Sequence, residues 1–447
     1  MRGRFAEVVI VAAIIGTLLG AAGPANAEGS SASGRNGFEN NRDTSDPTDF
    51  VKRREEAAKL EEEALEKLGP TYPLVSPDAE IKLASAIDRY QSIVSKGGWP
   101  ILPKTRTLRS GDRDDAVIPL RARLQMTDGL DQADSDSWVY DENVEAAVMS
   151  FQRRHGIPPS GVLDRRTFNA LNVPAMARLQ QLQVNLQRLR DLPVTGMPGR
   201  YVMVNAASFE LQAVNMGRVE LRSRVIAGRP ERQTPTVIAQ IVGLNFFPYW
   251  RVPESVAFGD LIPKAAKDPQ FLIHERIRVL TDWSGEEIDP RSVDWSSPQY
   301  LNIKFKQDPG PQNALGLVRV DMPNEHNVYM HDTPMKNLFG RSSRAFSAGC
   351  VRVHRIFDFV TWLASANGDW DRARVDSVLQ GGAPFDVKLN EPVSVYFVYL
   401  TAWANPAGEP HFRADIYDRD GAGDMSGRED REDRESRSLM SAQALAP

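Results

Sequence analysis

The chain contains a single cysteine, Cys350, and its surroundings favour a reactive thiol. It lies in the segment 346–353, FSAGCVRV, and an apolar helical repeat follows. A lone cysteine in an exported protein is either a small buried side chain or a nucleophile. Because thiols at helix N-termini have a lowered pKa, we expect a lowered pKa at Cys350. Gly349 permits close backbone approach, so we expect main-chain amides here to hold an oxyanion.

A nucleophilic thiol needs a base, and we expect it to be His331 among the six histidines of the chain. His331 follows an apparent strand over residues 327–330, and strand alternation places its side chain on the same face as Tyr329. His354 lies about one turn past Cys350 and is the competing candidate. The sequence contains neither an H-E-x-x-H motif nor a cysteine–histidine cluster, so we expect no zinc site and no cofactor.

Composition and the N-terminus indicate an exported protein. The chain has 447 residues, 41% of them hydrophobic, which is enough for two to four domains with proper cores. A net charge of −5 without a basic stripe makes nucleic acid an unlikely partner class. Residues 1–27 have a basic start, an apolar run and a small-x-small motif, as in a cleaved signal peptide. The apolar run is short of the ~20 residues of a membrane span, so an uncleaved anchor is the weaker alternative.

The region before residue 199 is expected to be mainly helical. Residues 28–50 have the composition of a disordered leader, and residues 51–107 contain two helical patterns. Residues 108–171 show three short helices joined by glycine turns, and residues 172–198 contain a linker helix with leucines on one face.

From residue 199 the hydrophobic period changes to two, which predicts a mostly β domain over 199–400. Asn215-Met216-Gly217 predicts a hairpin turn, and the segments 237–247 and 393–400 predict further strands. Residues 255–299 interrupt the pattern, either as a lid over the site or as a peripheral insertion, and we favour the lid. We expect 401–417 to form the domain edge and 418–447 to be a disordered tail.

Residues 331–352 resemble the L,D-transpeptidase signature, H-x(14–17)-[ST]-x-G-C-x-[RN], with fifteen residues between His331 and Ser347. Residues 248–255, PYWRVPES, are similar to the family's P-x-W-x-V-P-x-S segment, and Thr234 precedes a proline as in that family. One departure is Ala348, where many members have a second histidine. Residues 108–171 resemble a peptidoglycan-binding domain, although the second glycine of an early pair is an aspartate and the loop at 131–137 is longer than usual.

The resemblance implies a large Gram-negative, periplasmic L,D-transpeptidase of multidomain α+β fold, with a helical scaffold, a wall-binding module and a capped β domain. In that family the cysteine attacks the third stem residue of a peptidoglycan tetrapeptide and expels D-alanine. The amine of a second stem's diamino acid then resolves the thioester into a 3→3 cross-link. The resemblance implies that Cys350 is the nucleophile and His331 the base. The carbonyl of Asp332 would orient the imidazole, and Gly349 would donate to the oxyanion. Arg352 would contact the carboxylate of the donor, and Tyr329 and Ser347 would line the pocket.

Several alternatives stay open at this point. Arg352 is alternatively a surface arginine, and Ser347 a turn hydroxyl. With water as acceptor the same site would make an L,D-carboxypeptidase, and with a lipoprotein lysine it would attach protein to the wall. A non-catalytic peptidoglycan-binding scaffold is the alternative from another class. The expected partners are peptidoglycan stem peptides and other wall synthases, and we expect no membrane span after signal cleavage.

Overall fold

The computed structural model describes residues 72–131, 136–193, 196–297 and 302–421. The expected signal peptide, leader and first charged helix, and the tail beyond residue 421, lie outside the described residues. Within the described part, no helix combines the length and the apolar character that a membrane crossing requires.

The helices lie mainly before residue 191 and after residue 355, with short ones in the predicted insertion. They are α1 Ala79–Ser95, α2 Val117–Thr127, α3 Glu142–Arg154, α4 Arg165–Leu171, α5 Ala175–Arg190, α6 Glu254–Val256, α7 Ile262–Ala265, α8 Gln270–His274, α9 Ile356–Ala364 and α10 Arg372–Gly381. A π-helical turn, Ala257–Leu261, joins α6 to α7, and 3-10 turns occur at Pro230–Arg232, Pro290–Ser292, Lys336–Gly340 and Ser365–Asn367.

Helices α2, α3 and α4 form the predicted three-helix module. Asp141 and Asp164 cap α3 and α4 by accepting hydrogen bonds from the N–H groups of Val144 and Thr167, which explains where these two helices begin. The three helices enclose a separate small core. Its fully buried members are Leu108, Val117, Leu120, Leu124, Tyr140, Val144, Val148, Phe151 and Leu171.

A second core joins the N-terminal helices to the β domain. Helices α1 and α5 pack on each other and on the outer side of the sheet, burying Tyr90, Leu182, Tyr201 and Phe412 together. His155 at the end of α3 stacks between Phe151 and Phe412, at centroid distances of 3.7 and 5.2 Å. The wall-binding-like module is therefore packed against the β domain by aromatic side chains.

The β domain is built on a nine-stranded sheet of order β11-β3-β12-β10-β9-β4-β13-β1-β2. An additional β2–β3 pairing closes this sheet into a barrel-like ring around its core. The strands of the chain are β1 Arg200–Asn205, β2 Glu210–Asn215, β3 Arg218–Gly228, β4 Val237–Phe246, β5 Trp250–Arg251, β6 Ile277–Leu280, β7 Glu287–Ile288, β8 Lys304–Gln307, β9 Val318–Asp321, β10 Met330–His331, β11 Ala345–Ser347, β12 Val351–Val353, β13 Phe385–Val398, β14 Ala402–Ala404 and β15 Pro410–Phe412.

The predicted insertion has its own four-stranded sheet, of order β5-β8-β6-β7, and its own core around the buried Trp250 and Phe305. Since Trp250 pairs with Gln307, this unit starts and ends at paired strands that lie just outside the predicted range 255–299. We call the unit formed by residues 250–307 the cap.

The hairpin prediction is confirmed, and three other local predictions need correction. Met216 and Gly217 have φ of 47° and 74° and join β2 to β3. The strand predicted over 393–400 begins much earlier, because it is the second half of β13, which runs from Phe385 to Val398. Asn327 has a φ of 51°, so the strand predicted from it shrinks to β10. The expected disordered tail starts too early, because Asp420 is buried and accepts a hydrogen bond from Thr401 at 2.7 Å.

Candidate active site

The pairing of β10 with β12 brings the two predicted catalytic residues near each other. These strands are parallel, with Met330 opposite Val351 and His331 opposite Arg352. Met330 and Val351 are fully buried in the barrel core. Because side chains alternate along a strand, His331 and Arg352 point to the opposite face. Cys350 directly precedes β12, so the register places it opposite Tyr329 and diagonally across from His331, and it packs partly against the barrel core.

His331 is completely buried, and the backbone groups of Asp332 and Leu315 interact with its ring. Its Nδ1 lies 2.5 Å from the carbonyl oxygen of Asp332, and its ring meets that of Tyr329 edge-on at a centroid distance of 5.7 Å. Burial, with the nearby charge of Arg352, lowers the pKa of His331 to about 3. The neutral ring thus donates Nδ1–H to Asp332, and Nε2 keeps its lone pair without a hydrogen-bond partner among the described residues.

The side chain of Asp332 has a different task from its carbonyl. Its carboxylate accepts a hydrogen bond from the N–H of Leu317 at 3.0 Å and pairs with the ammonium of Lys336. Gly316 leaves room for this, because a Cβ there would lie 2.4 Å from Asp332 Oδ2. The carboxylate thereby fixes the loop that carries the orienting carbonyl and is engaged away from the imidazole. Sequence reasoning missed Lys336 and Gly316.

The expected lowering of the Cys350 pKa is wrong. Burial raises the pKa of the Cys350 thiol to about 11, although Tyr329 and the charge of Arg352 oppose that effect. The helix expected to stabilise the thiolate begins only at Ile356, after β12 and after Arg355 with a φ of 49°. Its free N–H groups are therefore separated from the sulfur by a whole strand.

The turn before Cys350 is fixed by Ser347. The fully buried Ser347 hydroxyl donates to the carbonyl of Cys350 at 2.5 Å and accepts from the N–H of Gly349 at 3.1 Å. Ser347 thus acts as the turn hydroxyl of the open alternative, and its contacts give no support to pocket lining. The N–H of Gly349 is already engaged, which corrects its expected role as an oxyanion donor. In the described part of the chain the N–H of Cys350 itself has no partner.

The loop after β3 forms hydrogen bonds to the backbone of this turn. Thr234 Oγ1 accepts from the N–H of Gly228 at 2.8 Å and donates to the carbonyl of Gly349 at 2.9 Å. The N–H of Arg229 donates to the carbonyl of Ser347 at 2.9 Å. Gly349 has a φ of 120°, which side-chain-bearing residues rarely adopt. The nucleophile turn is therefore fixed at several backbone groups.

Arg352 is buried rather than on the surface, so the surface-arginine alternative is wrong. Only 1% of it is exposed, and burial lowers its pKa to about 10. Its Nη1 contacts the sulfur of Met335 at 3.8 Å. Its charge acts on both Cys350 and His331.

The competing base is placed elsewhere. His354 follows β12, four positions beyond Cys350, which amounts to about 13 Å along an extended strand. Its ring packs on Phe339 at a centroid distance of 4.9 Å. His155 is buried and stacks on Phe412, and His411 is half-buried and stacks on Trp403. Of the described histidines, His331 is the one that the sheet places beside Cys350.

The cap contacts the site directly. Tyr329, half-buried, packs against both the barrel core and the core of the cap, and Ala348 of the nucleophile turn also packs against the cap. Burial, with the neighbouring Cys350, raises the pKa of Tyr329, so its hydroxyl stays protonated. The described residues include no group of three or more side chains arranged to hold a metal ion.

The sequence matches two family models. Residues 199–381 match the L,D-transpeptidase catalytic domain, and residues 113–171 match a domain described provisionally as peptidoglycan-binding. A curated protein of Haemophilus influenzae, named provisionally as an L,D-transpeptidase, is 33% identical over 225 residues, which cover 50% of this chain. The match spans 45% of that relative's own length.

Two solved structures are similar at low scores. The L,D-transpeptidase of Stackebrandtia nassauensis has 14% identity and a TM-score of 0.24, with 67% of this chain and 96% of that chain covered. The L,D-transpeptidase of Xylanimonas cellulosilytica has 14% identity and a TM-score of 0.22, with coverages of 66% and 99%. The assignment of the catalytic domain rests on the sequence matches.

Proposed function

We propose that this protein is a periplasmic peptidoglycan L,D-transpeptidase that makes 3→3 cross-links and releases D-alanine, because residues 199–381 match the model of the L,D-transpeptidase catalytic domain. The main support is the register that sets Cys350 diagonally across from His331, whose Nε2 has no hydrogen-bond partner among the described residues. The matched wall-binding module supports peptidoglycan as the substrate.

The first half-reaction forms a thioester. Cys350 Sγ attacks the carbonyl carbon of the third stem residue while its proton passes to His331 Nε2. Both groups start neutral, given the high pKa of the thiol and the low pKa of the imidazole. The N–H of Cys350 faces the developing oxyanion. His331 then gives its proton to the leaving nitrogen, so that the C–N bond breaks, D-alanine departs and the acyl group stays on sulfur.

The second half-reaction transfers the acyl group. The side-chain amine of a second stem's diamino acid attacks the thioester carbon and loses a proton to His331, which returns it to the departing sulfur. An amide bond forms, the C–S bond breaks, and no energy source is needed. The contacts of Tyr329 and Ala348 with the cap favour exclusion of water from this step, and therefore transfer over hydrolysis.

The test is muropeptide analysis after incubation of the purified protein with disaccharide tetrapeptides. The expected product is a cross-linked dimer whose mass equals that of two disaccharide tetrapeptides minus one D-alanine. Tripeptide alone would assign an L,D-carboxypeptidase instead, and transfer to a lipoprotein lysine would assign wall attachment. Unchanged substrate would contradict an enzymatic function and support the alternative of a non-catalytic peptidoglycan-binding scaffold. Cys350→Ala is the control, and it should abolish every product.

The thioester chemistry has a second test in acylation by a carbapenem. Because the ring opens on attack by sulfur, intact mass should rise by the mass of one inhibitor, and Cys350→Ala should gain nothing. An adduct that persists in Cys350→Ala would contradict the assignment of the nucleophile.

A further inference from the structure

A buried tyrosine hydroxyl is bonded to the loop that holds the nucleophile turn. Tyr417 is 5% exposed, and its hydroxyl donates to the carbonyl of Gly228 at 2.7 Å and accepts from the N–H of Thr234 at 3.2 Å. The hydroxyl of Thr234 accepts from the N–H of Gly228 and donates to the carbonyl of Gly349. Both backbone groups of Gly228 are therefore bonded to these two hydroxyls, and one further hydrogen bond leads from them to the residue before Cys350.

The loop over residues 228–234 is tightly folded and lies directly on the nucleophile turn. A Cβ on Gly228 would lie 2.6 Å from the nitrogen of Thr234, so the two ends of the loop are in close contact. A Cβ built on Gly349 would lie 3.5 Å from the carbonyl oxygen of Gln233. A shift of the loop is therefore transmitted to the backbone that precedes the nucleophile.

The segment that carries Tyr417 is attached to the helical part of the protein. It comprises residues 413–420, beyond the part of the chain that matches the catalytic-domain model. Asp420 accepts hydrogen bonds from Thr401 and from Arg188 of α5, each at 2.7 Å. Because these bonds keep the segment in place, Tyr417 gives the loop a fixed point of attachment.

We propose that Tyr417 is a positioning residue for Cys350: its hydroxyl holds the loop, and through Thr234 the turn that carries the nucleophile. This role rests on the proposed function, in which Cys350 attacks an acyl donor and its own N–H faces the oxyanion. Both the sulfur and that N–H depend on the shape of the turn, because Gly349 has a φ of 120°. Loss of the Tyr417 hydroxyl should therefore loosen the turn without removing any reacting group.

The test is Tyr417→Phe, which keeps the ring and its stacking on Tyr399 and removes only the hydroxyl. Acylation of Cys350 by a carbapenem should become about 10- to 100-fold slower, because it needs the base and the oxyanion donor in the correct geometry. Alkylation by iodoacetamide at pH 9 should stay within about two-fold of wild type, because it needs only the thiolate. A general loosening of the fold would instead change both rates.

Tyr140→Phe is the matched control, since Tyr140 is also buried and donates to a glycine carbonyl, that of Gly161, at 2.6 Å. It should leave the acylation of Cys350 unchanged. In a Thr234→Val background, Tyr417→Phe should slow acylation by no more than about two-fold further, because both substitutions break the same connection. Fully additive losses would contradict that connection.

Hydrogen exchange distinguishes failure of this role from failure of the proposed function. Amides in residues 345–353 should exchange faster in Tyr417→Phe and at the wild-type rate in Tyr140→Phe. If exchange there and acylation both match the wild type, Tyr417 only holds its own segment and the proposal is wrong. If acylation and alkylation slow equally, access to the sulfur has changed, which also overturns the proposal. Faster exchange in Tyr417→Phe together with no acylation of the wild type would reject the proposed function alone.

Discussion

Thr234 donates a hydrogen bond from its hydroxyl to the carbonyl of Gly349, the residue directly before the nucleophile, at 2.9 Å. The same oxygen accepts from Gly228 at the end of β3, so one buried hydroxyl ties the sheet to the nucleophile turn. Since Gly349 has a φ of 120°, the turn depends on such external bonds to keep its shape.

Thr234→Val should therefore weaken both stability and catalysis. The substitution keeps the shape of the side chain but leaves two buried backbone groups without a partner, at a cost of about 1–3 kcal/mol. We expect a lower melting temperature and slower acylation of Cys350 by a carbapenem, followed by intact mass. Thr234→Ser keeps the hydroxyl and should retain most of the rate. Equal rates for the valine and serine variants would contradict a positioning role.

The base can be identified by comparing His331 in β10 with His354, which directly follows β12. His331→Gln should slow acylation of Cys350 about 10²- to 10⁴-fold, the usual contribution of a general base. His354→Gln changes the other histidine near the nucleophile and should leave acylation within a few-fold of wild type, because its ring lies against Phe339. A large loss in His354→Gln together with a small one in His331→Gln would reverse the assignment.

The neutral resting state of the thiol predicts a specific alkylation profile. Because burial raises the pKa of Cys350 to about 11, only a small thiolate fraction exists at pH 7. Alkylation by iodoacetamide should therefore be slow at pH 7 and rise about tenfold per pH unit up to about pH 10. His331→Gln should not change this profile, because the neutral imidazole does not stabilise a thiolate. A rate that is already at its plateau at pH 7 would indicate a preformed thiolate–imidazolium pair.

The sequence predicted the structure best where an element depends on local or periodic patterns of residues. The module of three helices, the hairpin at Met216 and Gly217, and the β domain that follows are local or periodic features, and the structure has them. The strand position of His331 also followed from alternation, because its neighbour Met330 had to enter the core.

The predictions failed where a contact joins distant segments. A helical repeat after Cys350 does not reveal that β12 first pairs with β10 and β3, which moves the helix away from the sulfur. The engagement of Gly349 by Ser347 depends on a local turn whose shape is fixed by Thr234, 115 residues earlier. Nor does sequence report burial, which decides the direction of the pKa shifts at Cys350 and His331.

The buried imidazole should also make stability depend on pH. His331 has a folded-state pKa of about 3, below its ordinary value of about 6.5, so the unfolded chain binds the extra proton first as the pH falls. Stability is therefore complete above about pH 6.5 and declines towards pH 3, by up to about 1.4 kcal/mol per pH unit from this residue. At pH 5 the loss from His331 alone is about 2 kcal/mol.

His331→Gln removes this contribution, and its melting temperature should fall less between pH 7 and pH 5 than that of the wild type. The wild type will retain some acid sensitivity from His411, whose pKa burial also lowers to about 3. His326→Gln, which changes an exposed histidine, should follow the wild-type curve. If His331→Gln and the wild type lose stability in parallel between pH 7 and pH 5, the imidazole is not the buried, neutral group that the proposed proton transfers require.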